Sequence, residues 1–326
     1  MHGVDVGMTS TLRPLGTSDL RVFPLALGGN VFGWSADAQQ SFAVLDAYAA
    51  AGGNFVDTAD VYSEWVEGNE GGESETIIGR WLAARGNRSN IVVATKVGAH
   101  SPLKGLSAAT IKAGAEESLR RLGTDYIDLY YTHFDDESVP VEEIVTALDQ
   151  LVKDGKVRAV AASNISPERL RASLDFAEAE GLARYVALQP EYNLVAREKY
   201  EGPLLDTADV AGLAAVPYYG LASGFLTGKY RPGRTVDSVR AHRGSALAET
   251  ARGQAVLAAL DEVAEAHGAE PATVALAWLA SRPTVAAPIA SARTVEQVPA
   301  LVAVAGLTLT ADELARLTAA SETPEG

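Results

Sequence analysis

Short, almost wholly apolar runs recur along the chain, separated by longer stretches with apolar residues at helical spacing. The runs are LALG (25–28), NFVD (54–57), IVVATK (91–96), YIDLYYTH (126–133), VRAVAASN (157–164), YVALQ (185–189), LAAVPY (213–218) and VAAPI (285–289). Near-continuous Val, Ile, Leu and Ala of this kind marks strands buried on both faces. The intervening stretches carry helix punctuation. Residues 37–53 begin at Asp37 and end in Gly52-Gly53; residues 107–123 begin at Ser107 and end in Arg120, Arg121 and Gly123. Residues 166–181 place Ser166 at the cap, Pro167 at the first helical position and Gly181 at the stop. Ser and Asp side chains satisfy free amides at a helix start, Pro suits the first turn, and cations suit the C-terminal end of the dipole.

Eight strands, each followed by a helical stretch, predict an α/β fold, a single (β/α)₈ TIM barrel. The segment TLRPLGTSDLRVFPL, with its turn signal Gly16-Thr17-Ser18-Asp19, predicts an N-terminal β-hairpin closing the barrel bottom. An open doubly wound sheet would want G-x-G-x-x-G after the first strand, but LGGNVFGW has glycines at 28, 29 and 33 only. No linker-like composition divides the chain, so residues 1–326 are expected to form one domain, with 1–10 a flexible tail. Two irregular stretches, 63–74 and 227–246, fall where barrel loops carry function.

Charge narrows the picture. The net charge of −15 argues against nucleic acid, whose backbone is met by clustered Lys and Arg. There is no cysteine, so disulfide, thiolate and Fe–S chemistry are excluded. No apolar run is long enough for a membrane span, and no signal peptide is evident. A cytoplasmic protein without a membrane partner is expected. Its histidines are scattered without metal-ligand spacing, so no metal is expected.

Candidate chemistry lies at the strand ends, which converge on one mouth in a barrel. Asp57 ends the second run, Lys96 the third and His133 the fourth, and Tyr62 follows in the second loop. Taken singly, each has an ordinary structural use. Together they put three ionisable groups and a phenol at one mouth. A lysine closing an apolar strand needs a partner, and Asp57 is one strand away. An ammonium beside Tyr62 is expected to lower the phenol's pKa; a fall of ~2–3 pH units corresponds to roughly 3–4 kcal/mol. Tyr62 then suits a general acid, and His133 a hydrogen-bond donor to a carbonyl oxygen gaining charge.

The motifs NFVDTADVY, VVATKVG and DYIDLYYTH, on a chain similar from GTSDLRVFPLALGGNVFGW to PIASARTVEQV, resemble the aldo-keto reductase superfamily. The resemblance implies a barrel, a nicotinamide cofactor across its mouth, and a tetrad of Asp57, Tyr62, Lys96 and His133. It implies that Gly29, Asn30, Asp57, Ser163, Asn164 and Gln189 meet the cofactor, with Tyr218 stacked on the nicotinamide. Leu221, Ser223 and Lys229 look like pyrophosphate contacts. Ser291, Arg293 and Gln297 resemble the group that holds an adenosine 2′-phosphate, so NADPH is favoured over NADH; an Arg fork suits phosphate. Leu301 stands where many relatives have Asn, Tyr219 replaces a common Ser, and Arg240 aligns only loosely. Trp34, Trp65, Phe134 and Tyr219 are expected to wall the substrate pocket. Glu64, Glu67, Glu70, Glu73 and Glu75 would disfavour anions if they faced it. The implied activity is reduction of a small carbonyl compound by a monomer or homo-oligomer. A cofactor-binding regulatory subunit, like potassium channel β subunits, and a metal-dependent barrel hydrolase are the rivals.

Overall fold

The hairpin comes first, with β1 (Arg13–Pro14) antiparallel to β2 (Arg21–Val22) across the turn at residues 16–19. Its turn sits against the start of the barrel. Gly16 has φ of +55°, and a Cβ there would fall 2.0 Å from the Val186 carbonyl oxygen. In this computed structural model residues 12–234, 236, 241–322 and 324 are described; the expected tail (1–10) and Arg240 lie outside them.

Strands and helices then alternate: β3 (Ala26–Gly28), α1 (Ala38–Ala50), β4 (Phe55–Asp57), α2 (Glu73–Arg85), β5 (Val92–Val97) and α3 (Ala108–Leu122). There follow β6 (Ile127–Thr132), α4 (Val141–Lys153), β7 (Val157–Ser163), α5 (Pro167–Glu180) and β8 (Tyr185–Gln189). The remainder of the chain holds α6 (Pro203–Val210), β9 (Ala214–Ala215), α7 (Ala241–Ala248), α8 (Ala251–His267) and α9 (Pro271–Ala280). It ends with β10 (Ile289–Ala290), α10 (Val298–Val302) and α11 (Ala311–Ser321). The predicted caps form: Ser107 and Ser166 accept from the Thr110 and Arg169 amides, and Asp37 makes a capping box with Gln40.

All eight barrel strands pair in parallel, in the order β10-β3-β4-β5-β6-β7-β8-β9. Closure comes from a parallel bridge between Ala215 and Val285. The run expected as one strand at 285–289 is therefore split. Pro288 has no amide to give to the ladder; its carbonyl accepts from Ala26 on the β3 side, and Ala286 and Ile289 donate to the β9 side. The barrel interior packs Leu15, Leu20 and Val22 of the hairpin region against Phe55, Val92, Leu129 and Val186, which plugs the bottom. A second apolar layer fills the space between strands and helices, with Ile78, Trp81, Leu148, Leu170 and Trp278 among its members. Among the described residues no helix is long and apolar enough to cross a membrane.

Gly79 controls how closely α2 approaches the end of α3. A Cβ at this position would lie 2.5 Å from the Leu122 carbonyl oxygen. Gly79→Ala gains up to ~1 kcal/mol of helix propensity but overpacks a backbone contact, which costs ~1–3 kcal/mol. The contact wins, and the urea midpoint is predicted to fall; an unchanged or higher midpoint would contradict this packing.

Candidate active site

Two-residue alternation decides which side chains enter the barrel. On β4 it sends Phe55 and Asp57 inward; on β5, Val92, Ala94 and Lys96. Continuing from Leu129 and Tyr131 brings His133 to the mouth, and from Ala159 and Ala161, Ser163. The apolar members pack the lumen, so the polar ones sit on a dry floor at its top.

Lys96 has no exposed surface, and Asp57 is 1% exposed. The ammonium donates to Asp57 Oδ2 at 2.8 Å, to the Thr58 carbonyl at 2.8 Å and to Tyr62 Oη at 3.1 Å. A lysine has three protons and no acceptor, so every proton is committed. Tyr62 must therefore be the acceptor in its contact, and its own proton is free to face the cleft. Gln189 Nε2 donates to the second Asp57 oxygen at 2.9 Å. A chain of contacts continues outward: Ser163 Oγ to the Gln189 carbonyl, Asn164 Nδ2 to Ser163 Oγ and the His133 carbonyl, and Tyr218 Oη to Asn164 Oδ1. Asn164 adopts φ of +48°, which turns its amide back across the mouth.

The electrostatics depart from the sequence expectation at one point. Burial raises the Tyr62 pKa, and the field of Lys96 only partly offsets it, leaving the phenol pushed up to about 12. Tyr62 is thus held as the neutral acid at physiological pH. Burial by itself would depress the Lys96 pKa, but Asp57 and Tyr62 together outweigh that and raise it. His133 is driven well below the usual histidine range by burial and then by Lys96, so its ring is neutral and offers one N–H. Its Nδ1 is buried without a partner, and the Tyr62 and His133 rings lie 6.1 Å apart.

Tyr62 and His133 open on a cleft of about 1060 Å³. Its wall includes Asn30, Asp57, Ser163, Asn164, Gln189 and Tyr218, and beyond them Leu221, Ser223 and Lys229. Ser291, Arg293 and Gln297 line it too, and so does Leu301. Gly29 and Lys96 lie behind the wall. Gly29 donates to the Asp57 carbonyl at 2.7 Å, and a Cβ there would meet Ser74 Oγ at 2.8 Å. The aromatic set is present in full: Trp34 meets Trp65 edge-on at 5.6 Å, Phe134 stacks on His133 at 4.8 Å, and Tyr219 lies across Tyr218 at 5.1 Å.

The donor set fits a dinucleotide. Ala222, Ser223 and Gly224 all have positive φ, which folds the loop into a tight cradle. A Cβ on Gly224 would sit 3.3 Å from Lys229 Nζ, so the glycine keeps an ammonium at the cleft. Ser291 Oγ donates to Asn30 Oδ1 at 2.6 Å, joining two of the expected contacts. The Arg293 amide donates to Gln297 Oε1, and among the described residues no carboxylate pairs with the Arg293 guanidinium.

The sequence profile of the Aldo/keto reductase family matches residues 24–322. The chain belongs to that family. This aldo/keto reductase is 35% identical over 332 residues to the aldo-keto reductase ausK of Aspergillus calidoustus, covering 95% of the chain and 81% of the relative. It is 32% identical over 326 residues to the norsolorinic acid reductase stcV of Emericella nidulans, covering 95% and 80%. It is also 35% identical over 300 residues to a probable voltage-gated potassium channel subunit beta of Oryza sativa subsp. japonica, covering 88% of each.

Some of this aldo/keto reductase's site was not found from its sequence. Thr58 contributes through its carbonyl, and Gly224, Thr227, Glu270 and Pro299 line the cleft on loops whose course no periodicity reveals. The five loop glutamates, considered as a screen against anions, are not on the wall. Glu73 closes on the Glu70 and Gly71 amides, Glu64 accepts from the Ser101 amide, and Glu75 is fully buried against Arg121.

The phenol's state is directly measurable. Subtracting the ultraviolet titration of Tyr62→Phe from that of the parent is predicted to leave no phenolate signal up to about pH 10, the ordinary tyrosine value. A Tyr62 step at or below that value would contradict the dominance of burial.

Proposed function

We propose that this protein reduces aldehydes or ketones, with NADPH as the hydride source and Tyr62 as the proton donor. The observation that carries the reading is the commitment of all three Lys96 protons, which leaves the Tyr62 proton directed at the cleft. The cofactor would be held by Ser163, Asn164, Gln189 and Tyr218 at one end and by Ser223, Lys229, Ser291 and Arg293 further along. When bound it supplies the hydride.

The chain's own residues do the rest. The neutral His133 N–H and the Tyr62 O–H both meet the carbonyl oxygen and polarise it. As the oxygen gains charge it becomes far more basic than phenolate, since an alkoxide's conjugate acid is about as weak an acid as bulk water. A phenol at about 12 therefore still gives up its proton downhill. Lys96 stabilises the phenolate left behind, and Asp57 keeps Lys96 charged in a dry site. Buried donors aimed at developing charge act with little screening, which is the main source of catalytic power in such sites.

The Arg293 guanidinium beside Ser291, with no carboxylate partner among the described residues, supports NADPH over NADH, because a 2′-phosphate would supply an anion for it. The aromatic wall supports an apolar or ring-bearing substrate. The relative named as a potassium channel subunit favours a second reading, a cofactor-binding regulatory protein with little turnover. A cytoplasmic location suits either.

Stopped-flow and steady-state assays with aldehydes, ketones and sugars separate them; sustained NADPH oxidation rules out the regulatory reading. Tyr62→Phe is predicted to lower kcat by ~10²–10⁴-fold, the usual worth of a general acid. Its NADPH Kd, read by fluorescence, should stay unchanged; full activity in this variant would remove Tyr62 from the role. Arg293→Gln is predicted to weaken NADPH by ~10–100-fold, as expected for a lost charged hydrogen bond, while sparing NADH. Equal loss for both cofactors would contradict the phosphate assignment.

A further inference from the structure

Behind the tetrad, on the helix side of β5, lies a second buried charge cluster that the proposed chemistry does not use. Thr95 points outward where Lys96 points inward, and its hydroxyl donates to Glu75 Oε1 at 2.5 Å. Arg121, from the end of α3, donates through Nε to Glu75 Oε2 at 2.5 Å. Asp60, 1% exposed, stands beside this pair. Its amide donates to the Lys96 carbonyl at 3.2 Å, and its Oδ2 accepts from the Gly98 amide at 3.3 Å. One residue thus ties the loop to the end of β5 on both sides of Val97, the neighbour of Lys96. Tyr62 follows two positions later.

Charge does not balance around Asp60. Two carboxylates, Asp60 and Glu75, share the single guanidinium of Arg121, which is hydrogen-bonded to Glu75 through Nε and not to Asp60. Glu117 draws on Arg121 as well, at 3.7 Å. Lys96 is committed to Asp57 on the other face of the strand. His100 packs against Gly71 next to the Asp60 carbonyl, but its Nε2 is engaged with the Glu70 carbonyl. From β6, Tyr130 adds a buried phenol with its pKa raised, by burial first and then by Asp60 and Glu75. The field of Arg121 partly relieves Asp60, but among the described residues no cation forms an ion pair with it, and Asp60 Oδ1 and Arg121 Nη2 are both buried without a partner. A lone buried carboxylate is costly as an anion and is relieved by taking a proton.

We propose that Asp60 is a positioning residue for Tyr62: uncharged, it seats the 58–62 segment on the end of β5, and its ionisation lifts that segment and with it the phenol. An ionised Asp60 can regain solvation only by moving outward, and it cannot do so without the backbone that places Tyr62 Oη 3.1 Å from Lys96. Burial, followed by the field of Glu75, raises the Asp60 pKa to about 7. The sign follows: the seated state holds below that value and is lost as pH rises through it. Carbonyl reduction would then weaken from neutral pH upward, far below the range in which Tyr62 itself ionises.

The kinetic half of this proposal rests on the reductase reading, so the test has two arms. In the first, cofactor-free protein carrying ¹³C-carboxyl aspartate is titrated by NMR, with the Asp60 signal assigned by its loss in Asp60→Glu. The Asp60 signal is expected to move from the acid to the carboxylate position between about pH 6 and about pH 8. A carboxylate signal already present at the lower end overturns the proposal, whatever the enzyme's activity. The second arm uses NADPH and a neutral aromatic aldehyde. Parent kcat/KM should fall about tenfold across that interval, and Asp60→Asn, which cannot ionise, should change less than about twofold while matching the parent within about threefold at the acidic end. The same fall in both proteins overturns it. If neither protein turns over any carbonyl compound, the reductase reading fails, and the NMR arm still decides the state of Asp60.

Discussion

A fully buried ammonium organises this molecule. Lys96 stands on the dry floor of the barrel, where an isolated charge would be untenable, and three acceptors make it tolerable: Asp57, the Thr58 carbonyl and Tyr62. Removing one partner of such a pair generally costs ~3–5 kcal/mol, because the other is stranded without water. The pair is therefore poor evidence of net stability and good evidence of a fixed geometry. Each bond Lys96 makes also fixes something else. Asp57 takes Gln189, Gln189 takes Ser163, and Tyr62 is left with a spare proton aimed outward. The outward direction of the phenol's proton follows from a count of lysine protons.

The rest of the barrel serves this arrangement at two removes. Inside, small and branched residues fill the lumen below the floor, and the hairpin seals its lower end. Outside, α2 and α3 approach closely enough at Gly79 to bring Arg121 onto Glu75 and Glu75 onto Thr95, the neighbour of Lys96. Inner and outer faces of β5 thus carry two separate buried charge clusters back to back. One leaves the Tyr62 hydroxyl facing the cleft, and the other ties the loop that carries Tyr62 to the end of β5 through Asp60.

The strands and the tetrad were legible in the sequence for one shared reason. A strand packed on both faces is apolar throughout, so a polar residue closing it stands out, and two-residue alternation then says which way it points. Asp57, Lys96 and His133 stood out at strand ends in this way, and the structure brings all three to one mouth. The eighth strand was read as continuous because its composition is apolar; Pro288 interrupts it, leaving a bridge at Val285 and a two-residue strand from Ile289. The acidity of Tyr62 was read in the wrong direction. A neighbouring Lys is visible in sequence, but the depth of burial that outweighs it is not, and burial wins. The Asp60–Glu75–Arg121 cluster was equally hidden. Its members look like ordinary charges on a loop and two helices, and only the packing of α2 on α3 removes them from water.

With all three protons committed, Lys96 is expected to act on carbonyl reduction only through Tyr62. A double-mutant cycle on the single-turnover reduction rate, with Lys96→Met, Tyr62→Phe and the pair, tests it most directly. Residues that work as one unit give strongly non-additive losses, so the double variant is predicted to be no more than about twofold slower than Tyr62→Phe alone. If the two losses multiply instead, Lys96 has its own path to the reacting oxygen, and the account built on its three committed protons is wrong.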